Sequence, residues 1–190
     1  MASAKPVSDR ADLLPPLAEV FRAHGYEGAT LALITEATGL GKGSLYHFFP
    51  GGKAQMAAEV LAEIDLWFEA NIFAPLRSSE DPARAIAAMV GAVDRYFHSG
   101  HRVCLVGVIA LGASRDMFAV QVQDYFSRWS DALARLLARS GMSARVARRR
   151  SNDALLTIQG ALVLARALDD TRIFGQAMSE LGARLLAKAD

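Results

Sequence analysis

Apolar residues recur every three or four positions along nearly the whole chain, and strictly alternating stretches are almost absent. That period belongs to the α-helix, so the backbone is confined to amphipathic rods that must bury their stripes against one another. Glycine and proline divide the rods at Gly25, Gly39-Leu40-Gly41, Pro50-Gly51-Gly52, Pro75 and Ser99-Gly100, which gives an all-α chain of about nine helices. Hydrophobic residues make up 52% and charged residues 22% of the 190, the mixture of a packed globular protein and not of a disordered one.

The rods can be placed from their caps. Leu17, Val20 and Phe21 share one face of a first helix that begins near, or kinks at, Pro15-Pro16 and is capped by Gly25. Thr30 caps a short helix with Leu31, Ile34 and Ala37 inside; after the Gly39-Leu40-Gly41 turn a second short helix runs through Lys42–Phe49. Two short helices about a glycine turn make a helix-turn-helix candidate. A long helix follows from Lys53 toward Pro75, and Asp81-Pro82 starts the next, burying Ile86, Met89, Val90, Val93 and Phe97. Cys104 to Leu111 is apolar nearly all round, as suits a helix buried between others. Helices from Asp116 to Ser140, from Ser143 to about Ala167, and through Phe174–Leu185 complete the chain. A boundary near residue 53 separates a helix-turn-helix unit (1–53) from the remainder (54–190), the two sharing one packing unit.

Several function classes are excluded or narrowed by counting. The single Cys104 excludes an internal disulfide framework or a multi-cysteine zinc site and suits a reducing cytosol. The longest apolar stretch, Val103 to Ala113, falls well short of the ~18–20 residues that cross a bilayer, and Met1–Arg10 is polar with no secretory core. A cytoplasmic protein with no membrane partner is expected. The formal charge is +1, so no global basicity advertises nucleic acid and any such site must be local.

Residues 21–53, from Phe21-Arg22-Ala23-His24-Gly25-Tyr26 through Gly43-Ser44-Leu45-Tyr46-His47-Phe48-Phe49-Pro50-Gly51-Gly52-Lys53, resemble the DNA-binding signature of the TetR/AcrR family of transcriptional regulators. Pro50-Gly51-Gly52-Lys53 and Cys104-Leu105-Val106-Gly107 resemble its LmrA/YxaF-like branch. The resemblance implies a homodimeric regulator of double-stranded operator DNA whose C-terminal helical domain binds a small hydrophobic or aromatic effector, and it implies that effector binding relieves repression.

Chemistry points the same way at the helix itself. A helix that enters the ~12 Å major groove needs small or polar groove-facing side chains. Lys42, Gly43, Ser44, Tyr46 and His47 can face outward while Leu45, Phe48 and Phe49 turn toward Phe21 and Ile34. Lys42 and Ser44 are the base-edge candidates, Gly43 admits close approach, and Tyr46 and His47 offer donors to phosphate. Thr30 and Lys53 sit at helix starts, where free amides favour anions. Gly41 departs from the family pattern, which places a Ser or Thr cap there. Residues 1–60 hold five basic and six acidic side chains, yet no acid lies between Glu36 and Glu59, an interval with Lys42, His47 and Lys53. Weak non-specific binding and a shallow salt dependence are expected.

In the C-terminal part, Trp67, Phe68, Tyr96, Phe97, Phe118, Phe126 and Trp129 are either plain core or the walls of a cavity. Polar Gln121, Asn152 and Gln159 beside apolar faces favour a cavity, whose expected lining is Trp67, Phe68, Met89, Tyr96, Cys104, Phe126, Trp129 and Gln159. The run Leu155, Leu156, Ile158, Leu162, Val163, Leu164 covers more than one helical face, and small Gly160, Ala161 and Ala165 allow close approach. A four-helix bundle across a two-fold axis satisfies it, with Leu155, Ile158, Leu162, Ala165, Phe174, Met178 and Leu181 expected at the interface; burial within one chain is the other solution.

Other features carry less. Gly39–Ser44 lacks the spacing and the preceding strand of a phosphate-binding loop. His98, His101 and Cys104 have no fourth partner for a metal, and Arg145, Arg148, Arg149 and Arg150 read as a solvated face or as partners of Asp131 and Asp153. No cofactor is expected. Two other functions stay open: a DNA-binding dimer with a filled core, regulated by a protein partner or by Cys104 oxidation, and a small helical enzyme, for which no GxSxG, HExxH or paired-carboxylate helix speaks.

Overall fold

The computed structural model describes residues 9–187, so Met1–Arg10, apart from its last two residues, lies outside the described part. No strand occurs among the described residues. Nine helices follow one another among the described residues: α1 Leu14–Gly28, α2 Leu31–Thr38, α3 Lys42–Phe48, α4, α5 Pro82–Tyr96, α6 Leu105–Leu111, α7 Ala119–Arg139, α8 Ala144–Leu168 and α9 Arg172–Leu186. Helix α4 is one continuous rod in three stretches, Gly52–Phe68, a π turn Glu69–Phe73 and Ala74–Ser78. Short 3-10 turns precede α1 (Arg10–Leu13) and join α5 to α6 (His98–Gly100) and α6 to α7 (Ala113–Phe118).

The helix starts are set by local chemistry. Thr30 Oγ1 accepts from the Leu33 amide (3.3 Å), Asp81 Oδ1 from Arg84 (3.0 Å) and Ser143 Oγ from Val146 (3.4 Å), each satisfying an amide that the first turn leaves without an intrahelical partner. Pro15 and Pro16 stand in the first turn of α1, where a missing N–H costs nothing, and the helix bends at Gly25. At the α5–α6 corner Gly100 has φ +93°, and a Cβ there would lie 2.8 Å from Phe174 Cβ. Glycine at this position lets α9 close against the corner.

Helices α1–α3 and the start of α4 form the N-terminal unit around Leu17, Phe21, Ile34, Leu45, Phe49 and Met56. Helix α4 then runs on into a second core, where the rings of Phe68, Tyr125 and Trp129 meet at centroid distances of 4.9 and 5.2 Å, with Phe73 and Phe97 alongside. Trp67 and Tyr96 join this stack at 4.5 Å. Arg128 on α7 fastens the π turn, donating to both oxygens of Asp65 (2.8 and 2.7 Å) and to Glu69 (2.5 Å).

Helices α8 and α9 pack together within the subunit, through residues expected at an interface. Ile158, Leu162 and Ala165 of α8, and Phe174, Met178 and Leu181 of α9, are all buried inside their own subunit, and Leu155 is half-buried. Both helices direct these faces at each other, at α7 and at α5, so the single-chain alternative applies to them. The opposite face of α8 is left bare: Leu156, Gly160, Val163 and Ala167 fall at i, i+4, i+7 and i+11, with Leu156 71% and Val163 60% exposed. Leu164 and Leu168 flank this stripe and are exposed too.

Candidate nucleic-acid interface and effector groove

Helix α3 is held by one face and free on the other. Leu45 and Phe49 are fully buried and Phe48 is half-buried, while Lys42, Gly43, Ser44, Tyr46 and His47 are exposed. The turn ahead of it depends on Gly39, whose φ of +69° is the left-handed conformation that ends α2. Gly41 caps α3 with no side-chain hydrogen bond, as its residue type dictates. Tyr46 lays its ring edge beside Gly52, leaving its hydroxyl outward without a partner in the described chain.

Nothing in the chain requires a glycine at position 43. A Cβ there would meet no atom within 4 Å, and its φ is not positive. Glycine weakens a helix by roughly 0.5–1 kcal/mol relative to alanine, so its presence on the exposed edge of a seven-residue helix suits close approach by something external. Gly43→Ala is therefore expected to raise the melting temperature slightly and to lower duplex affinity. Thermal melts and an anisotropy titration on the same sample read both changes.

Two expected phosphate contacts look different in three dimensions. The Thr30 hydroxyl accepts from Leu33 as a cap, which leaves its own proton free to donate outward. Lys53 is engaged within the protein: Nζ donates to the carbonyls of Tyr26 (2.8 Å) and Glu27 (3.4 Å) and sits 4.6 Å from the Tyr26 ring centre. It clamps the start of α4 to the end of α1. Arg10 is likewise paired, with Glu59 at 2.8 Å. Among the described residues, Lys42 remains as the unpaired exposed lysine of the edge.

The expected lining of the C-terminal cavity divides in two. Phe68, Met89 and Trp129 are buried in filled core, and Trp67 and Tyr96 border only a cleft of about 150 Å³ between α1 and α4. Cys104, Phe126 and Gln159 instead line a groove of about 780 Å³ between α6 and α8, whose other walls include Val103, Gly107, Val108, Leu111, Leu156 and Val163. These aliphatic walls were missed because an aliphatic side chain gives no sign of its own; the one available signal was Leu111, which prolongs an all-round apolar run and stands 88% exposed.

Cys104 is a structural cap. Its Sγ accepts from the Gly107 amide (3.4 Å), and burial pushes the thiol pKa up, the reverse of what a reactive thiolate needs. His98 and His101 are exposed on the corner, and among the described residues no group of three His, Cys, Asp or Glu side chains could hold a metal ion. Arg148 pairs with Asp131 at 2.5 Å, and Arg150 donates to the carbonyls of Leu185 and Ala187.

The groove and the N-terminal unit share a joint. Glu27, at the end of α1, accepts from the Ser114 amide at 2.6 Å, just beyond α6; a hydrogen bond from its own backbone amide, and then those from Ser114, hold its carboxyl below the usual carboxylate range. Tyr26 meets Phe118 edge-on at 5.3 Å, and Val108 of the groove wall lies against Gly25. Lys53 grips the same two carbonyls from the side of α4.

Comparison with known proteins finds two separate matches along the chain. Residues 17–60 match the family of bacterial regulatory proteins of the tetR type, and residues 82–180 match the C-terminal domain of LmrA/YxaF-like transcriptional regulators. The chain is 27% identical over 160 residues to the HTH-type transcriptional regulator LmrA of Bacillus subtilis, covering 82% of this chain and 85% of that one. Over 45 residues it is 44% identical to the HTH-type transcriptional repressor AcnR of Corynebacterium efficiens, 24% of either chain. A TetR-family regulator from Agrobacterium tumefaciens superposes with a TM-score of 0.76 at 21% identity, over 94% of this chain and all of that one. One from Chloroflexus aurantiacus gives the same score and identity over 94% of each, so the fold is shared. These relatives are regulators and not enzymes. Among the described residues no single helix is long and apolar enough to cross a membrane. The chain belongs to the TetR family of bacterial transcriptional regulators, with a C-terminal domain of the LmrA/YxaF-like kind.

Proposed function

We propose that the chain represses transcription as a homodimer bound to a roughly palindromic operator, and that a small, largely apolar effector in the groove between α6 and α8 releases it. The observation that carries this reading is the joint at Glu27 and Ser114: the α6 wall of the apolar groove also touches the end of α1, immediately ahead of the helix-turn-helix. Lys42 and Ser44 read base edges, Gly43 lets the backbone approach, and Tyr46, His47 and Thr30 hold phosphate. Lys53 acts through the Tyr26 and Glu27 carbonyls, as a strut that fixes the recognition helix relative to α1.

The second subunit seats on the bare stripe of α8, centred on Gly160 and Val163; that stripe is also the outer wall of the groove, so the partner closes over the effector as a roof. Half-sites then lie about one helical turn apart or a multiple of it, so that two copies of α3 reach major grooves on one side of the duplex. An effector wedged beside Val108 displaces α6, and with it Ser114 and the end of α1. It acts to the extent that it favours a dimer whose recognition helices stand at the wrong separation.

The test pairs two readouts. Compounds that raise the melting temperature of the free chain should weaken operator binding several-fold, and Ala110→Phe, which fills the groove from α6, should remove both effects while operator binding persists. Stabilising compounds that leave operator affinity unchanged would refute the effector reading. The relief of the filled-core alternative rests on the same groove; a redox role for Cys104 has little support from a buried thiol with a raised pKa.

A further inference from the structure

We infer that the effector carries an uncharged hydrogen-bond acceptor, a carbonyl oxygen or its equivalent, and that the Gln159 side-chain amide selects for it; this rests on the groove being the effector site. The groove is apolar along most of its wall, and Gln159 is the amide that interrupts it. Its Oε1 packs over Gly107, where a Cβ would come within 3.1 Å, so the missing side chain at 107 makes room for the amide. Its Nε2 is buried and has no hydrogen-bond partner. The Cys104 thiol approaches this amide without reaching hydrogen-bond geometry, and thiol sulfur is a weak acceptor in any case.

A buried donor left unmade is costly, and an acceptor delivered by a ligand recovers that cost on binding. The acceptor must be uncharged. The polar groups near Gln159 are the Cys104 thiol and, beyond it, the Tyr125 hydroxyl, itself buried without a partner. Neither is a cation, and Arg22, the guanidinium whose charge reaches Cys104, is already engaged by Glu19 (2.7 Å) and the Tyr96 hydroxyl (3.2 Å). The nearest charge on α8 that lines the groove is Arg166, seven residues on, about 10 Å along the helix axis. A carboxylate placed at Gln159 would be desolvated with no counter-ion beside it. The ligand class is therefore an apolar body with a neutral acceptor seated at the amide, and Gln159 acts as a specificity residue.

Benzophenone and 1,1-diphenylethylene test this directly, because they share shape and differ in C=O against C=CH₂. Their affinities for the full-length protein can be read by displacement of the neutral dye N-phenyl-1-naphthylamine. The wild type should prefer the ketone about tenfold, the scale of one hydrogen bond to an otherwise unsatisfied donor. Q159M and Q159L should bind both probes alike, with the hydrocarbon held at least as well as before. Because each removes an unpaired buried amide, both variants should also melt at or above the wild-type temperature, so loss of folding cannot mimic the result. A ketone preference that survives in both variants, or that is absent in the wild type, overturns the role of Gln159. Failure of the ketone to displace the dye from the wild type also overturns it. Operator release by other compounds would then leave the repressor reading standing.

Discussion

Replacing Tyr46 with alanine should lower operator affinity by about 10²- to 10⁴-fold without disturbing the fold or the dimer. A hydrogen bond to a charged acceptor is worth about 1.5–3 kcal/mol, and a dimer on a palindrome makes it twice, so about 3–6 kcal/mol is lost. The structural cost is small because Tyr46 is 40% exposed and its ring edge rests beside the backbone of Gly52. Anisotropy at one fixed salt concentration measures the affinity, while circular dichroism and sedimentation check the controls. Tyr46→Phe separates the hydroxyl from the ring and should reproduce most of the loss. Unchanged affinity in both variants would remove Tyr46 from the interface.

The second large effect concerns Val163. It stands 60% exposed at the middle of the bare α8 stripe, so arginine there is accommodated by the isolated subunit. Across a two-fold axis the same change brings two like charges into an apolar seam, and neither has a partner. Val163→Arg should therefore sediment as a folded monomer at micromolar concentration. Its operator affinity should fall by about 10²- to 10⁴-fold, since the second half-site no longer binds as an intramolecular event. A dimer that survives would place the interface elsewhere. The neighbouring Leu162→Arg is a poor test of the same idea: Leu162 is 3% exposed within its own chain, and a charge there unfolds the subunit before it separates the pair.

That contrast marks how far the sequence could be read. Caps are local, and Thr30, Asp81 and Ser143 each accept the amide that their position implies. The two faces of α3 also follow from residue type, because Leu45 and Phe49 can satisfy themselves only inward while Lys42, Ser44 and His47 have no reason to be buried. Helix α8 is different. Leu156, Ile158, Leu162 and Val163 are equally apolar, so their order along the chain does not say which pair faces α7 and α9 and which faces out; tertiary packing decides it. The same holds for the aromatic residues, whose rings at Phe68, Tyr125 and Trp129 fill the space they were expected to surround. The clamp made by Lys53 is hidden for another reason: its partners are the backbone carbonyls of Tyr26 and Glu27, and backbone groups leave no mark in a sequence.

The joint between the two units has the same origin. Glu27 looks like any surface carboxylate in sequence, yet it accepts from an amide 87 residues further on. A contact of that separation depends on how α6 turns into the 3-10 segment Ala113–Phe118, which has no periodic signature. Sequence reading therefore reached the exposed edge of α3 residue by residue, and reached the groove only through Cys104, Phe126 and Gln159.

Selection of bound duplexes from a random DNA library, with the wild-type chain at a concentration where it sediments as a single species, puts the two-fold reading to the most direct test. An inverted repeat should be enriched, with half-site centres spaced by about one helical turn or a multiple of it, and Lys42→Ala should relax the preferred bases within each half-site. Recovery of a lone half-site, a direct repeat or no common sequence would contradict the claim that paired copies of α3 read the duplex.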